Sequence, residues 1–453
     1  MLLITFRNVV FNYFYNFKLH LFFLLVLFNS INLHSQTTSI PDSTFEQALI
    51  SLNIDTNGLN GNILNSDASS VTALFIGNIG VTDLSGIEAF KNLKYLFAYN
   101  NHITTLDLSF NPYLELLDAD NNDLSSLNVA SNAALRSIFI SNNNLNSLDV
   151  SNNLQLEYLY CNLNSISVLD VSANPNLKDL RCYYNNISSI NFTSNLNLEH
   201  LFISENNLNT LDVAANTALE TLTCDNNNLN TINVSSNASL SYLSCTNNNL
   251  SNLDISSNTD LKRLLCNNNN LTSLDLSNAS DLFLLYTQNN QIQSLDISNN
   301  PDVKYINAEN NLLTDIDIRN GNNHRINQFV VTQNQSLTCV FVDNTSASYL
   351  NDWEVDATCN FVADEGECQT LSTQEVVGID FKMYPNPATT QVNIHLNVPV
   401  AQLTLYTVSG QFLLEKQIQQ GNNTLDVSSL SAGLYIATII TTESTSTKKL
   451  VIQ

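Results

Sequence analysis

Residues 156–176 read LEYLYCNLNSISVLDVSANPN, and residues 177–197 read LKDLRCYYNNISSINFTSNLN. Leucine stands at the first and fourth places of both stretches, cysteine at the sixth and asparagine at the ninth. The leading residue recurs at Leu93, Leu114, Leu135, Leu156, Leu177, Leu198, Leu219, Leu240, Leu261, Leu282 and Val303, eleven units of 21 residues without an insertion. Eight places on from each stands an asparagine, from Asn101 to Asn311. A unit this short cannot bury its own apolar face, so neighbours must stack into a solenoid with a continuous core. LEYLYC reads as a short strand whose side chains alternate inward and outward. The asparagine falls where the chain turns out of that strand. Its amide both donates and accepts, so a column of asparagines can bond the backbone groups that each turn leaves open. In the second half-unit, Leu148 and Val150 point inward and Asp149 outward. Twenty-one residues leave no room for a long helix, so a flat coil of parallel strands is expected.

The pattern L-x-x-L-x-φ-x-x-N-x-L, over roughly residues 71–340, resembles the leucine-rich repeat of internalin-like bacterial proteins. The resemblance implies adhesion or recognition rather than catalysis. Residues 71–323 are read as repeats and 36–70 as an N-terminal helical cap. In that cap Ser43 and Glu46 have capping-box spacing, and Phe45, Ala48, Leu49 and Leu52 share a face. Asp55-Thr56-Asn57-Gly58 lacks the further ligands of a calcium loop and reads as a turn. Beyond Val303 the period fails, with Gly321 where the next turn asparagine belongs, and 324–368 is read as a C-terminal cap carrying Trp353.

A polar linker at 369–375 precedes a segment of different composition, 376–453, whose short strand-like runs read as a small antiparallel β-sandwich. Tyr384-Pro385-Asn386-Pro387, YTVSG ending at Gly410, LSAGLY containing Gly433 and Tyr435, and a terminal stretch with Lys449 resemble the C-terminal sorting domain of the type IX (Por) secretion system of Bacteroidota. Such tails engage the secretion machinery, carry cargo across the outer membrane and are cut off at the surface. The expected fold is therefore a β-rich leucine-rich repeat solenoid with little helix, followed by a small antiparallel sandwich.

Composition agrees with export. Arg7 and Lys18 flank an aromatic stretch, LFFLLVLF follows at 21–28, and Ser35 ends a signal peptide read over 1–35. Eight clean apolar residues fall short of the ~20 that span a bilayer, so no transmembrane segment is expected after its removal. Only 13% of residues are charged, and 41 acidic against 16 basic side chains give a net charge of −25. That surface repels nucleic acid and anionic lipid. A secreted or outer-surface monomer is expected.

No nucleophile, metal or phosphate motif is present, and the six histidines are scattered without ligand spacing, so neither an enzyme nor a metal site is expected. The column Asp107, Asp149, Asp170, Asp212, Asp254, Asp275, Asp296 and Asp317 raises the question of calcium, but one carboxylate per coil falls far short of six oxygens, and a solvated face is the expected reading. The concave face carries the candidate ligand site: Tyr95, Phe97, Tyr99, Phe139, Tyr158, Tyr160, Arg181, Tyr183, Tyr184, Phe202, Tyr242, Arg263, Tyr286 and Tyr305. Arg136, Lys178, His200, Asp118, Asp120, Asp179 and Asp225 lie among or beside them. Tyrosine and arginine on a rigid sheet cover binding area at low entropic cost, and aromatic planes suit sugar rings, so a protein or glycan ligand is expected. The alternatives are a structural surface component that binds nothing, or a targeting module for a separate enzyme. Cys161, Cys182, Cys224, Cys245 and Cys266 form one inward column of small hydrophobes. Cys339–Cys368 is the preferred disulfide, with Cys359 as rival partner.

Overall fold

The computed structural model describes residues 37–372, 381–441 and 445–453. The signal peptide expected at 1–35, residues 373–375 of the expected linker and the start of the tail at 376–380 lie outside the described residues. The chain divides into two compact units, the first ending at Ala363 and the second starting at Asp364.

The first unit is the expected solenoid. Thirteen parallel strands, from Ala73–Phe75 to Gln328–Val330, form one long sheet. From Tyr95–Phe97 to Tyr305–Asn307 each strand pairs with the next at an offset of 21 residues, as Tyr158 with Asp179. On the far side of each coil the chain returns through a second short extended segment, which becomes a paired strand at Ser147–Asp149, Val168–Asp170 and a few others. The coil beginning at Leu156 buries Leu156, Leu159, Cys161, Ile166, Leu169 and Val171. Burial of each of the larger aliphatic side chains contributes roughly 1.5–3 kcal/mol. The five column cysteines are free and buried, and burial pushes the Cys161 and Cys266 thiols up to about 12. A thiol held that high stays protonated and packs as a small hydrophobe.

Two asparagine columns hold the turns. Asn227 donates to the carbonyls of Ile203, Cys224 and Asp225 at 3.1–3.2 Å, while its Oδ1 accepts from Leu208 N at 3.0 Å. One amide thus ties its own turn to the preceding coil, and the same set recurs along the ninth-place column. The second column, Asn111 to Asn300 at the opposite bend, is fully buried. There Asn216 donates to Phe192 O and Asn195 O at 3.1 and 2.8 Å, and its Oδ1 has no partner within the protein. An under-satisfied carbonyl is tolerated more readily than an orphaned N–H.

The caps differ in detail from expectation. The helix Ser43–Ser51 is capped by Asp42 rather than by a Ser43–Glu46 box. One Asp42 oxygen accepts from Thr44 N and Phe45 N, and the other accepts from Thr82 and Asp83, tying the helix to the first coil. Glu46 Oε1 instead accepts from the amides of Asn60, Gly61 and Asn62. At the other end the period is shifted rather than lost. Two extra residues, with Gly321 at φ +80°, let Asn323 take the buried turn position. One more strand then joins the long sheet, and Asn334 repeats the ninth-place bonds. Trp353 closes the core against Phe329, Tyr349 and Phe361, with ring centroids 4.5–5.9 Å apart. Cys339 is disulfide-bonded to Cys368, while Cys359 is free and donates to Leu337 O. The helix Glu365–Ser372 runs into the segment expected as a linker.

The second unit is antiparallel, and the two layers expected of a sandwich are parts of one curled sheet. The long strand Gln391–Thr407 pairs with Phe381–Tyr384, Phe412–Asp426 and Gly433–Ile440, and Thr445–Ile452 completes the sheet. Asn386 of the YPNP stretch fastens its two ends. Its Nδ2 donates to Lys449 O and its Oδ1 accepts from Val451 N, both at 2.8 Å. Tyr435 donates to Ser431 O at 2.7 Å, and Gly410 turns the chain at φ +85°.

Adjacent asparagines test the division of labour. Asn227→Ala leaves several buried backbone groups unpaired and is expected to lower stability by about 2–4 kcal/mol. Asn226→Ala, at a half-buried left-handed residue, is expected to lose about 1 kcal/mol. Urea denaturation and hydrogen exchange of the neighbouring coils measure both. Equal losses would contradict the bridging role of Asn227.

Candidate functional site

Each strand of the long sheet is three residues long, so places three and five of the 21-residue unit lie on its outward face, and place seven follows just beyond. Phe139, Tyr160, Arg181 and Phe202 occupy place five of four successive coils, stacked by strand pairing. Phe139 and Tyr160 lie 4.8 Å apart. The Arg181 guanidinium sits 4.2 Å from the Tyr160 ring and 5.0 Å from that of Phe202. Asp179 grips it from place three at 2.9 Å and also accepts from the Tyr160 hydroxyl at 2.9 Å. Burial together with the Asp179 carboxylate pushes that phenol up to about 12. These bonds lock Arg181 between two aromatic planes, a rigid and partly desolvated platform.

The structure brings the expected residues together unequally. Tyr95, Tyr158, Tyr184 and Arg263 are exposed, whereas Phe97, Phe139, Tyr160, Arg181, Phe202, Tyr242, Tyr286 and Tyr305 are half-buried against their neighbours. Tyr99 lies on Gly77, where a Cβ would meet the ring at 2.7 Å. Tyr184 stands outside the strand, at a turn residue with φ +54°. That turn position is left-handed in every regular coil and is asparagine in most, since asparagine tolerates this conformation best after glycine. Asn142, Asn247, Asn289 and Asn310 also reach back to the asparagine one coil earlier. Three consecutive coils break this ladder with Leu163, Tyr184 and Glu205. Leu163 and Tyr184 are 45% and 51% exposed, and both belong to coils of the Arg181 platform.

A second column, just before the sheet's outward positions, was not read from the sequence. Place two carries Lys94, Glu115, Arg136, Glu157, Lys178, Glu199, Glu220, Ser241, Lys262, Phe283 and Lys304. Parallel pairing sets alternate signs side by side. Lys94 binds Glu115 at 2.8 Å, and Glu157 takes both Arg136 and Lys178. These cations are therefore committed to ion pairs. The signal for this ladder was present in the alternation of sign at one place of the repeat.

The Asp column serves the turns. Asp149 Oδ1 accepts from Ser151 N at 2.9 Å, and Asn128, Asn191 and Asn233 accept equivalently from the residue two places on. The position needs an acceptor, and its charge is incidental. The hydroxyl and amide of the serine two places on hold Asp149, Asp170 and Asp254 below the usual carboxylate range. Among the described residues no group of three or more His, Cys, Asp or Glu is arranged to hold a metal.

Burial raises Asp120 to about 6, against an ordinary value of 3.8; the Ser141 amide opposes this shift and Asp118 adds to it. A native value above the unfolded one gives stability that is fully present below pH 3.8 and lost as pH rises through 6. Asp120→Asn keeps an acceptor for Ser141. It is expected to stabilise the protein by roughly 1–3 kcal/mol at pH 7.5 and not at pH 3.5. Denaturation at both pH values measures this, and a gain independent of pH would contradict it.

Residues 382–453 match the family of secretion system C-terminal sorting domains. No curated protein matches the chain by sequence. Among solved structures, the functional domain of InlJ from Listeria monocytogenes, which includes a cysteine ladder, superposes with a TM-score of 0.61 at 23% identity, covering 92% of this chain and 99% of that one. The internalin InlF of Listeria monocytogenes superposes at 0.55 and 20% identity, covering 71% and 95%. Among the described residues no helix is long and apolar enough to cross a membrane. The chain is thus a leucine-rich repeat solenoid of internalin-type fold, carried to the cell exterior by a type IX secretion sorting tail.

Proposed function

We propose that the protein is a non-catalytic recognition protein that binds a protein or glycan ligand at the cell surface through the outward face of its long sheet. The centre of that face is the platform Phe139–Tyr160–Arg181–Phe202, with Tyr158, Tyr183, Tyr184 and Leu163 around it. One observation carries the reading. The asparagine ladder, regular elsewhere, is broken in the coils of the platform, where residues ill-suited to a left-handed backbone expose apolar surface. Such residues forgo about 1 kcal/mol of stability each. Local strain beside a rigid aromatic and arginine cluster is the pattern of a binding surface. Listeria internalins share this fold, and the likeness extends to architecture without identifying a ligand.

Two variants test the reading on glycan and protein arrays. Tyr158→Ala/Tyr160→Ala/Tyr183→Ala is expected to lose at least tenfold in affinity for at least one array ligand of the wild type. Leu163→Asn/Tyr184→Asn extends the ladder through two of the three broken coils, and is expected to gain about 1 kcal/mol per site in stability while weakening binding. Ligand binding unchanged in both folded variants, or no ligand on either array, would favour a structural surface component.

A further inference from the structure

The charge ladder changes character after Glu220. Ser241 and Phe283 stand where the alternation calls for acids, which leaves Lys262 and Lys304 without them. Among the described residues Lys262, Arg263 and Lys304 have no carboxylate within ion-pair distance, whereas Lys94, Arg136, Lys178 and Arg181 each have one. The unpaired cations line a groove of about 610 Å³, together with Tyr242, Phe283 and Arg325. Arg325 is held by Asp302 at 3.1 Å. Asp281 and Asp302 are the groove's only carboxylates, so its lining carries net charge +2 in a chain of −25. Phe283 offers a ring with Lys304 5.3 Å from its centroid and Tyr305 edge-on at 5.4 Å.

We infer that this groove binds a short anionic saccharide, its carboxylate or sulfate held by Lys262 and Arg263 and its ring face laid on Phe283 and Tyr242. The volume falls in the range of about 300–1,000 Å³ typical of small-ligand sites. Charge limits the ligand to one or two anionic groups, because Glu199 and Glu220 precede the groove in the same column and repel a long polyanion. The strands lining the groove are each paired on both sides, so no open edge exists for an extended acidic peptide to join. Flat aromatic faces flanked by cations suit a sugar acid better than flexible carboxylate stems. This inference deepens the recognition reading, on which it rests, by giving the ligand's chemistry at a site apart from the Arg181 platform.

Titration calorimetry of the purified full-length protein with trigalacturonate, its methyl ester and a glutamate hexapeptide tests it, with sialyllactose and a sulfated disaccharide as further acids. At least one acidic saccharide is expected to bind, at least tenfold more weakly as its uncharged ester or amide, and more weakly at high salt. Lys262→Gln/Arg263→Gln, both exposed positions, is expected to lose at least tenfold, while the Tyr158/Tyr160/Tyr183 variant binds as the wild type does. Equal binding of the neutral form, full retention by the double variant, or tighter binding of the peptide overturns the inference. So does the absence of any acidic-saccharide binding. If array ligands that need the aromatic platform remain in that case, the recognition reading stands without this site; if none remain, both fail.

Discussion

Everything in the solenoid depends on one amide, that of the asparagine at the ninth place of each coil. A 21-residue coil has no helix to absorb its backbone polar groups, and each turn leaves two carbonyls of its own coil, with one carbonyl and one amide of the preceding coil, to be paired. The asparagine carboxamide meets all of them, because it donates through nitrogen and accepts through oxygen on one short stem. The bridge reaches the preceding coil, so it works only when neighbouring coils stay in register. That requirement explains a run of eleven units without an insertion. Where two residues are added, Asn320 and Asn323 share the turn's work, donating to Asn300 O and Ile318 O.

Register converts one place in the repeat into a column, and each column then follows its own physics. Inward places select volume, so alanine, isoleucine and cysteine alternate freely. The left-handed turn selects asparagine for its backbone. The aspartate place selects an acceptor for an amide two residues on, which is why asparagine substitutes for it without loss. At place two, charges of opposite sign neutralise each other one strand apart. Departures from these columns therefore stand out. Leu163 and Tyr184 depart at the turn, and Ser241 and Phe283 depart in the charge ladder, each beside a different cluster on the same face.

Much of this was legible in the sequence. The period, the parallel sheet, the packing of the cysteines, Trp353 in the cap and the sorting motifs follow from spacing, composition and resemblance, whereas the sequence preferred Cys339–Cys368 but left Cys359 open as a rival partner. The fine structure of the site was less so. Alternation told which strand residues point outward, but not that Tyr160 and Phe202 enclose Arg181, since that needs three coils stacked in register. It also placed Tyr184 on the strand, because a three-residue strand and the turn after it look alike in a short apolar run. The helix cap was misassigned for a similar reason. Ser43 and Glu46 have the right spacing, but Asp42 gains amides from residues 40 places away that local spacing cannot reveal.

The sequence by itself determined the architecture and the route of export, because both rest on repetition and on motifs that neighbouring residues complete. Only the tertiary structure decided which side chains are available. Arg136 and Lys178 stand among or beside the candidate binding residues in the sequence, yet Glu157, one coil away from each, takes both. Arg263 has the same standing in the sequence, yet it and its neighbour Lys262 remain uncommitted, because Tyr242 and Leu284 flank the one and Ser241 and Phe283 the other. Whether a charge is spent or open depends on what lies one strand away, about 4.8 Å in space and 21 residues in sequence.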